Sequence, residues 1–493
     1  MIARILSILI FVMFMVKSLH SHKSQPKKLL IISMDGFRWD YINKIPGKTP
    51  NFDRFKTEGG YAQNGMKNIF VSSTAPNHYA LVTGLYSESH GIIGNTIYDP
   101  RFNETFSLFN STQQYDSKWF DNGGEPIWVT NQIQSSEHRS GSIAWPGSYA
   151  AVNGIVPTRF ILTQRLYYHN PAPYSFKSRI DTIIKWFREK YPINLGLLYF
   201  GEPDEQGHEH GPESQEVKDM IQLLDGTLGY LLEQLKKYGL EDEINIILTS
   251  DHGMTSAPLD KVVILDDYVD PTDYQVFGVN PVTNILPNEG EKETIYKKFK
   301  EASESTKAFD VYYKEDLPVE YHIKNNIRIQ PIVLIAHIHY TLVYNISSDR
   351  NHSLGTHGYN NSLQDMHPFF MVKGPSFKAG ATIETLNNVD IYSLMCHLLD
   401  LKPAPTNGSL DLVRDLLKED DEHTVVTFAT YIGILVFIAL IAGVFTMAAC
   451  RQHRNMKRKQ RQMTLPGGVQ FSTILQRESK LPLLSEESDD DSL

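Results

Sequence analysis

The chain has 493 residues, of which 41% are hydrophobic and 21% are charged, and its formal net charge is −10. This composition is typical of a globular protein and argues against a wholly disordered or collagen-like chain. The acidic balance, with no block of Lys and Arg in the main body, disfavours binding to a nucleic acid polymer, and two cysteines are too few for a disulfide framework.

The N-terminus has the layout of a secretory signal peptide over residues 1–18. Arg4 precedes the apolar run Ile5–Val16, and the small residue Ser18 follows that run. The run is too short to span a bilayer comfortably, although an uncleaved signal anchor is the alternative. We therefore expect the main body of the chain to enter the secretory pathway.

Residues 27–405 are expected to form one α/β catalytic domain. Short apolar runs predict strands at Lys28–Met34, Ile193–Phe200 and Ile244–Thr249, and helical spacing of apolar residues predicts a helix at Ser214–Leu235. Nearly continuous apolar strands that alternate with helices are typical of a mostly parallel central sheet with helices on both faces.

A candidate nucleophile follows the first strand. Thr74 lies two residues before Pro76, ahead of an apolar-periodic run, and this pattern marks the start of a helix. Backbone N–H groups and the helix dipole favour a phosphate at such a start, although an ordinary helix N-cap is the alternative. A threonine hydroxyl needs activation before it can attack phosphorus, and coordination to a metal ion supplies it.

A carboxylate stands at or shortly after the end of each predicted strand. Asp35 follows the first strand, Asp204 comes shortly after the second and Asp251 comes shortly after the third. Because ligand sites in open α/β sheets form beyond the carboxyl ends of the strands, we expect these side chains to converge. Three carboxylates brought together would repel one another unless cations lay between them.

Histidines accompany these carboxylates. Asp204 and His208 are four residues apart and share one face of a helical turn, His252 directly follows the third carboxylate, and His357 lies beside a glycine. Mixed carboxylate and imidazole ligands suit zinc, whereas calcium and magnesium prefer oxygen cages. Any one of these histidines alone is more often a surface or core residue, so the prediction depends on the combination.

Six N-x-[ST] sequons lie between the two apolar segments of the chain and agree with a lumenal body. We predict glycosylation at Asn103, Asn110, Asn345, Asn351 and Asn407. The sixth, Asn360, lies just past His357, and a glycan there would crowd a candidate metal ligand, so we expect it to be unused.

The C-terminal part predicts a membrane anchor. Residues 406–423 are expected to form a polar juxtamembrane stalk, and the uncharged apolar segment 424–450 is long enough to span a bilayer. Lys and Arg residues follow it directly, and positive charge on that side indicates that the tail, residues 451–493, is cytosolic. We therefore expect a single-pass type I protein of the plasma membrane whose catalytic domain is extracellular.

Taken together, the motifs of the body occur in a recognisable order. They are Asp35-Gly36-Phe37-Arg38, Thr74-x-Pro-Asn-His, His90-Gly91-Ile92-Ile93-x-Asn95, Glu202-Pro203-Asp204-x3-His208-x2-Gly211-Pro212, Ser250-Asp251-His252-Gly253-Met254 and His357-Gly358-Tyr359. On these motifs the chain resembles the ectonucleotide pyrophosphatase/phosphodiesterase family of the alkaline phosphatase superfamily. The resemblance covers residues 27–405.

The resemblance implies an alkaline-phosphatase-like fold, a small-molecule phosphodiester or nucleotide substrate, including dinucleotides such as NAD, and two zinc ions (Zn²⁺). For the first zinc ion it implies the ligands Asp35, Asp251, His252 and Thr74. For the second it implies Asp204, His208 and His357. Thr74 would form a nucleotidyl-threonine intermediate, Asn95 would donate to a non-bridging phosphate oxygen, and Phe160 would stack on the base.

The chain departs from the family pattern beside the nucleophile. The family usually has a basic residue before the threonine and an aromatic residue after it, where this chain has Ser73 and Ala75. That aromatic residue stacks on the base in nucleotide-cleaving members, so its absence bears on base affinity and not on the metal chemistry. Two alternatives are a phosphodiesterase for lipid or choline-phosphate head groups and an inactive binding ectodomain, which the complete set of candidate ligands disfavours. The sequence does not indicate an oligomeric state.

Overall fold

The computed structural model describes residues 26–162, 175–278, 280–344, 353–419 and 421–462. The predicted signal peptide, the sequons at Asn345 and Asn351 and the tail beyond residue 462 lie outside the described residues. The chain divides into two compact units, of which the first ends at Lys418 and the second starts at Glu419.

The strands of the first unit are, in chain order, β1 (Lys28–Met34), β2 (Gly60–Ala62), β3 (Met66–Lys67), β4 (Thr96–Asp99), β5 (Glu104–Ser107), β6 (Ser140–Ile143), β7 (Arg159–Ile161), β8 (Leu195–Phe200), β9 (Ile244–Thr249), β10 (Thr255–Ser256), β11 (Val262–Ile264), β12 (Tyr274–Phe277), β13 (Val282–Pro287), β14 (Phe309–Tyr313), β15 (Ile332–Ala336), β16 (Thr341–Val343), β17 (Gly355–Thr356), β18 (Phe370–Lys373), β19 (Ala381–Ile383) and β20 (Leu386–Asn387).

The α-helices are, in chain order, α1 (Pro50–Glu58), α2 (Thr74–Thr83), α3 (Ser87–His90), α4 (Ser117–Phe120), α5 (Ile127–Gln134), α6 (Phe176–Phe187), α7 (Asp204–His210), α8 (Gln215–Lys237), α9 (Lys292–Thr306), α10 (Asp390–Leu398) and α11 (Asp421–Gln462). The helix predicted at Ser214–Leu235 is therefore α8, with Ser214 as its N-cap, because the Ser214 hydroxyl accepts the N–H of Val217.

The central sheet has eight strands in the order β19-β2-β18-β9-β1-β8-β6-β7. Strands β9, β1, β8, β6 and β7 run parallel, and in this register Ile31 lies between Leu197 and Ile247. Strand β18 runs antiparallel to both of its neighbours, so the sheet is mixed. The predicted parallel arrangement thus holds for the three strands that the sequence analysis assigns, and these strands end at the same edge of the sheet.

Helices cover both faces of this sheet. A Cβ atom on Gly141 of β6 would meet the Trp186 ring of α6 at 2.8 Å, so that face lies against α6. The preceding residue, Ser140, accepts a hydrogen bond from Asn131 of α5 at 3.1 Å. Because successive strand residues point to opposite faces, α5 and α6 lie on opposite sides, as predicted. Because helices cover both faces of the sheet, strands β1, β8 and β9 are almost wholly buried and apolar.

A second, antiparallel sheet has the order β12-β13-β15-β14 and packs against α9. It has its own apolar core, in which Phe299 of α9 and Leu334 of β15 are fully buried. The sequence pattern alone does not distinguish this sheet from the main body. It matters for function because Gly278, Asn280 and Pro281, which lie between β12 and β13, line a cavity described below.

The stalk predicted at residues 406–423 is wrong in its first part. Val413 and Leu416 are fully buried, and Lys378 donates its backbone N–H to the carbonyl of Leu416 at 2.9 Å. Residues 406–418 therefore belong to the first unit, because the apolar side chains of this polar-looking segment pack into the main core. A separate stalk is left with only a few residues before α11.

The second unit contains α11. By length and composition, residues Gly433–Arg461 of this helix are apolar and long enough to cross a membrane. This range overlaps the predicted span at residues 424–450 and includes the basic residues that follow it.

Candidate metal centre and active site

The end of β1 positions the first candidate ligand. Asp35 follows Met34 directly, and its carboxylate is buried. Gly36 has a φ of +65°, and its N–H donates to Oδ1 of Asp251 at 3.2 Å. The chain thus turns sharply after the strand and brings two carboxylates together that lie 216 residues apart in the sequence.

The loop after β8 positions the second carboxylate. Asp204 begins α7, and its backbone N–H donates to the carbonyl of Asp35 at 3.1 Å. His208 lies one helical turn later, with Nε2 3.4 Å from Oδ2 of Asp204. Its other ring nitrogen, Nδ1, lies 2.8 Å from the carbonyl of Gly355. The predicted placement of this Asp and His on one helical face is confirmed.

The end of β9 positions the third carboxylate and a histidine. Ser250 donates its hydroxyl to Oδ1 of Asp251 at 3.0 Å, which fixes that side chain. Nε2 of His252 lies 3.2 Å from Oδ1 of Asp35 and 3.2 Å from Oδ2 of Asp251. Its Nδ1 lies 2.9 Å from the carbonyl of Gly253, which leaves Nε2 to face the carboxylates.

His357 reaches the same place from the chain that follows β17. Its Nδ1 lies 2.9 Å from the carbonyl of Ser72, and its Nε2 lies 3.7 Å from Oδ1 of Asp204. The ring stacks on that of His252, with centroids 3.6 Å apart. The six side chains that the sequence analysis selects therefore converge in one cluster.

Two groups within this cluster have the geometry of a metal site. Asp35, Asp251 and His252 form one group, and Asp204, His252 and His357 form the other, with the ligand atoms of each group within 4.8 Å of one another. The first group contains three of the four ligands that the resemblance implies for one zinc ion, the fourth being Thr74. The second contains His252 where the resemblance implies His208, so this division of the histidines stays a prediction.

The buried oxygens of the cluster fit a bound cation. Among the described residues, Oδ1 of Asp35, Oδ1 of Asp204 and Oδ2 of Asp251 are buried and accept no hydrogen bond, although imidazole nitrogens lie 3.2–3.7 Å from them. An unpaired carboxylate oxygen in a protein interior is costly unless a cation compensates it. Carboxylate oxygens and imidazole nitrogens are also ligands that zinc accepts.

The charges of the cluster perturb its pKa values in opposite directions. Burial, together with the charges of Asp251 and Asp204, raises the pKa of Asp35 well above its usual range. Burial opposes the charged form of Asp204 as well, but the nearby His208 lowers the pKa of this carboxyl to about 2. Burial and the charge of His252 lower the pKa of His357 to about 3, so its imidazole is neutral, as a metal ligand must be.

Thr74 lies at the edge of this cluster. It is the first residue of α2, with Ser73 in the N-cap position, so the hydroxyl of Thr74 does not cap its own helix. Its Oγ1 lies 3.4 Å from Nε2 of His252. The candidate nucleophile thus stands at a helix N-terminus and beside the candidate metal ligands, as predicted.

Asn95 is held beside the nucleophile. Its Oδ1 accepts the backbone N–H of Ala75 at 2.8 Å, and its Nδ2 lies 3.5 Å from Oγ1 of Thr74. Because the oxygen is fixed by the helix, the amide nitrogen faces the space where a phosphate would meet the threonine. This orientation agrees with the role that the resemblance implies.

His78 supports the site but is absent from the predicted site residues. Its Nδ1 lies 2.9 Å from the carbonyl of Thr74 and 3.3 Å from Oδ2 of Asp251, and its Nε2 lies 2.9 Å from the hydroxyl of Ser33. The signal in the sequence is its spacing, because residues four apart in a helix share one face. His78 therefore ties the helix of the nucleophile to two strands of the sheet.

Tyr199 is a second supporting residue that the sequence analysis misses. Its hydroxyl donates a hydrogen bond to Oδ2 of Asp35. Burial and the charge of Asp35 raise the pKa of Tyr199 well above its ordinary value, so the hydroxyl keeps its proton. One oxygen of Asp35 is thereby occupied, and the other, Oδ1, faces the cluster. A tyrosine near the end of an apolar strand gives no signal of this role in the sequence.

Phe160 does not line the cavity that opens beside this cluster and is described below. It lies in the edge strand β7, is 40% exposed and packs near Tyr149, with ring centroids 5.9 Å apart. The described residues that line the cavity include Asn95 and the exposed Phe109, and Phe160 is not among them. The structure therefore places the ring of Phe160 at the edge of the sheet, where it does not line the cavity. Its base-stacking role stays a prediction.

Three of the four described sequons are exposed. Asn103, Asn110 and Asn407 are exposed, and Asn360 is half-buried. The side chain of Asn360 also accepts the backbone N–H of Ser362 at 2.9 Å. Glycosylation of the three exposed residues stays a prediction that their position allows.

The close approach at Gly36 gives a testable prediction. A Cβ atom there would lie 2.8 Å from Oδ1 and 2.9 Å from Cα of Asp204, in a backbone conformation that side chains disfavour. Gly36→Ala should therefore displace Asp204 and lower the metal content. It should also reduce kcat/KM at least about tenfold and destabilise the fold by about 1–3 kcal/mol. Metal analysis, kinetics and thermal unfolding measure these three effects.

Gly47→Ala is the matched control for this substitution. Gly47 has a φ of +74°, and a Cβ atom there would meet nothing within 4 Å. This variant carries the same kind of backbone penalty without the collision, so it should keep its metal and its activity. Equal losses in the two variants would show that strain, and not the position of Asp204, causes the effect.

Comparisons with known proteins agree with this geometry. Residues 29–360 match the family model of type I phosphodiesterase / nucleotide pyrophosphatase. The chain is 42% identical over 395 residues to human ectonucleotide pyrophosphatase/phosphodiesterase family member 5, over 79% of this chain and 78% of that relative. It is 40% identical over 400 residues to human bis(5'-adenosyl)-triphosphatase ENPP4, over 80% of this chain and 83% of that relative.

Solved structures give the same result. Murine ectonucleotide pyrophosphatase / phosphodiesterase 5, in an inactive threonine-to-alanine variant in complex with AMP, superposes with a TM-score of 0.74. The sequence identity is 42%, and the match covers 80% of this chain and 100% of that one.

Proposed function

Because the chain belongs to the type I phosphodiesterase / nucleotide pyrophosphatase family, we propose that it is a zinc-dependent hydrolase of nucleotides or dinucleotides that releases a nucleoside monophosphate. The observation that carries the proposal is the position of Thr74, whose Oγ1 lies 3.4 Å from His252 in a cluster of carboxylates and imidazoles. The AMP bound by the murine relative supports a nucleotide as the substrate.

We assign the metal ligands to the residues of the cluster. Asp35, Asp251, His252 and the hydroxyl of Thr74 would hold one zinc ion, and Asp204, His208 and His357 would hold the second. Bound zinc would lower the pKa of the threonine hydroxyl and of water and would neutralise charge on the phosphate. The unpaired oxygens of the three carboxylates support this assignment.

The chain's own residues supply the nucleophile and its orientation. Oγ1 of Thr74 gives its proton to solvent, attacks the α-phosphorus and forms an Oγ1–phosphorus bond. The bond from phosphorus to the departing oxygen breaks, and that oxygen leaves with the electron pair of the bond. Nδ2 of Asn95 donates to a non-bridging oxygen, because its Oδ1 is held by the N–H of Ala75. The N-terminus of α2 adds a favourable dipole for the phosphate.

A second displacement regenerates the enzyme. The oxygen of a water molecule attacks phosphorus from the side that the departing group has left, and the bond to Oγ1 of Thr74 breaks. The product is a nucleoside monophosphate, and the threonine recovers its proton. His78 and Tyr199 hold the helix of the nucleophile and the carboxylate of Asp35 in place during both steps.

The proposal includes the location of the enzyme. The candidate span in α11, the basic residues after position 450 and the exposed sequons support a single-pass type I protein of the plasma membrane with its catalytic unit outside. Removal of N-glycans should reduce the apparent mass of the protein, and labelling of intact cells with an impermeant reagent should reach residues 26–418. Labelling restricted to permeabilised cells would contradict this orientation.

A substrate panel tests the activity. The full-length protein, purified in detergent, should hydrolyse p-nitrophenyl-TMP and NAD and should release a nucleoside monophosphate from NAD. Turnover of lysophosphatidylcholine in place of both would favour the lipid or choline-phosphate alternative. Absence of turnover on every substrate, with the metal ions bound, would leave the inactive binding ectodomain.

A further inference from the structure

A cavity of about 190 Å³ opens beside the candidate metal centre. Asn95, His208 and His357 are among the residues that line it. Asn280, which lies just before β13, and Asn284, which lies within β13, line the cavity from the second sheet. The cavity thus joins the catalytic sheet to the antiparallel sheet and is lined by both.

The direction of attack assigns a role to this cavity. Oγ1 of Thr74 lies beside His252, which belongs to both groups, and the proposed function assigns the threonine to the group that contains Asp35. In an in-line displacement the departing oxygen leaves opposite the nucleophile, toward the second of the two groups. Among the described residues, the cavity is lined by His208 and His357 and not by the carboxylates of the first group. The departing group should therefore enter this cavity.

Two amide side chains are held with their donors available there. Oδ1 of Asn284 accepts the N–H of Gln330 at 3.2 Å, and Oδ1 of Asn280 accepts the N–H of Leu342 at 3.1 Å. Asn284 is only 8% exposed. Within the described residues, the Nδ2 group of neither side chain donates to an acceptor. Because both side chains line the cavity and their oxygens are held by backbone N–H groups, their Nδ2 groups are available to donate to a ligand there.

The charge of the wall limits what that ligand can be. The described residues that line the cavity include no Lys and no Arg. Beyond the candidate metal ligands, the neutral amides can donate hydrogen bonds to a departing group, but they do not compensate several negative charges in a partly buried site. Pyrophosphate, which departs from a nucleoside triphosphate, carries several such charges, whereas an aryl oxide or a zwitterionic nucleotide carries little net charge.

We propose that Asn280 and Asn284 form the subsite for the departing group and select substrates whose departing group has low net charge over nucleoside triphosphates. This inference rests on the proposed function and deepens it. Two substrates isolate the effect, since p-nitrophenyl-TMP and TTP share the same thymidylyl half and differ only in the group that departs.

The test compares the kcat/KM ratio of TTP to p-nitrophenyl-TMP among variants of the full-length protein. Asn280→Lys should raise this ratio about tenfold, because a charged donor replaces a neutral one facing pyrophosphate. Asn284→Asp keeps the size and the acceptor of the side chain but adds a negative charge, and it should lower the ratio severalfold. Metal content and thermal unfolding, measured in parallel, identify any variant that has lost its fold or its ions.

Gln275→Lys is the matched control. Gln275 lies in β12 of the same sheet, is exposed and does not line the cavity, so its lysine adds the same charge without reaching the departing group. Its ratio should equal that of the unmodified protein. Equal ratios in all four proteins, with both substrates hydrolysed, would overturn the subsite. Failure of the unmodified protein to hydrolyse either substrate would instead overturn the proposed function.

Discussion

Replacement of Thr74 by alanine should reduce kcat by a factor on the order of 10⁴ or more, because the displacement at phosphorus loses its nucleophile. The substitution removes one hydroxyl and leaves the three carboxylates and three histidines of the cluster in place. We therefore expect the zinc content of the variant to stay near two ions per chain. Steady-state kinetics and elemental analysis of the same preparation measure both quantities.

Thr74→Ser is the control for this variant. Serine keeps a hydroxyl at the start of α2, so it should retain a substantial part of the activity, whereas alanine should retain none that can be measured. After an acid quench during turnover, mass spectrometry should detect a nucleotidyl adduct in the unmodified protein and none in the alanine variant. An alanine variant that remains active, or that loses its zinc, would contradict the assigned role.

Removal of the metal ions should abolish turnover, and zinc should restore it. Without cations, Asp35, Asp204 and Asp251 would face one another with buried oxygens that lack a donor. We also expect the apo protein to unfold at a lower temperature, because a ligand present at about 100 times its Kd contributes about 2.7 kcal/mol of stability. Indifference of both activity and unfolding temperature to a chelator would exclude the metal centre.

Two histidines of α7 allow a metal ligand to be distinguished from a neighbouring residue that binds no metal. His208→Ala should reduce the zinc content by about one ion per chain and kcat/KM at least about 100-fold, because the side chain lies 3.4 Å from Asp204 within the cluster. His210 lies two residues later in the same helix, has a side chain that is 34% exposed and pairs only loosely with Glu209, at 3.7 Å. His210→Ala should therefore match the unmodified protein. Similar losses in both variants would indicate damage to the helix and not loss of a ligand.

Much of the candidate site could be predicted because its signals are local. An apolar run predicts a strand, and Asp35 and Asp251 stand at or shortly after the ends of such runs, where ligand sites of α/β sheets form. Helical spacing likewise predicts that Asp204 and His208 share a face. The start of α2 at Thr74 follows from the proline and the apolar period that come after it. Each of these predictions needs only the covalent geometry of one segment.

Other features depend on packing between distant segments. Residues 406–418 look polar, yet Val413 and Leu416 fill gaps in the main core, so the predicted stalk is shorter than expected. Phe160 lies at the sheet edge and away from the cavity wall. The donors of Asn280 and Asn284 become significant only because the second sheet lies across from the metal ligands. No short stretch of sequence carries this information.

By itself, the sequence determined which residue types could bind metal ions and attack phosphorus, because strands, helix starts and ligand types are properties of short segments. Only the tertiary structure decided how they meet, with the ring of His252 on that of His357 and the hydroxyl of Tyr199 on Asp35. The physical reason is that the parallel register of β8, β1 and β9 fixes where three strand ends lie, and side-chain packing then fixes which atoms face one another.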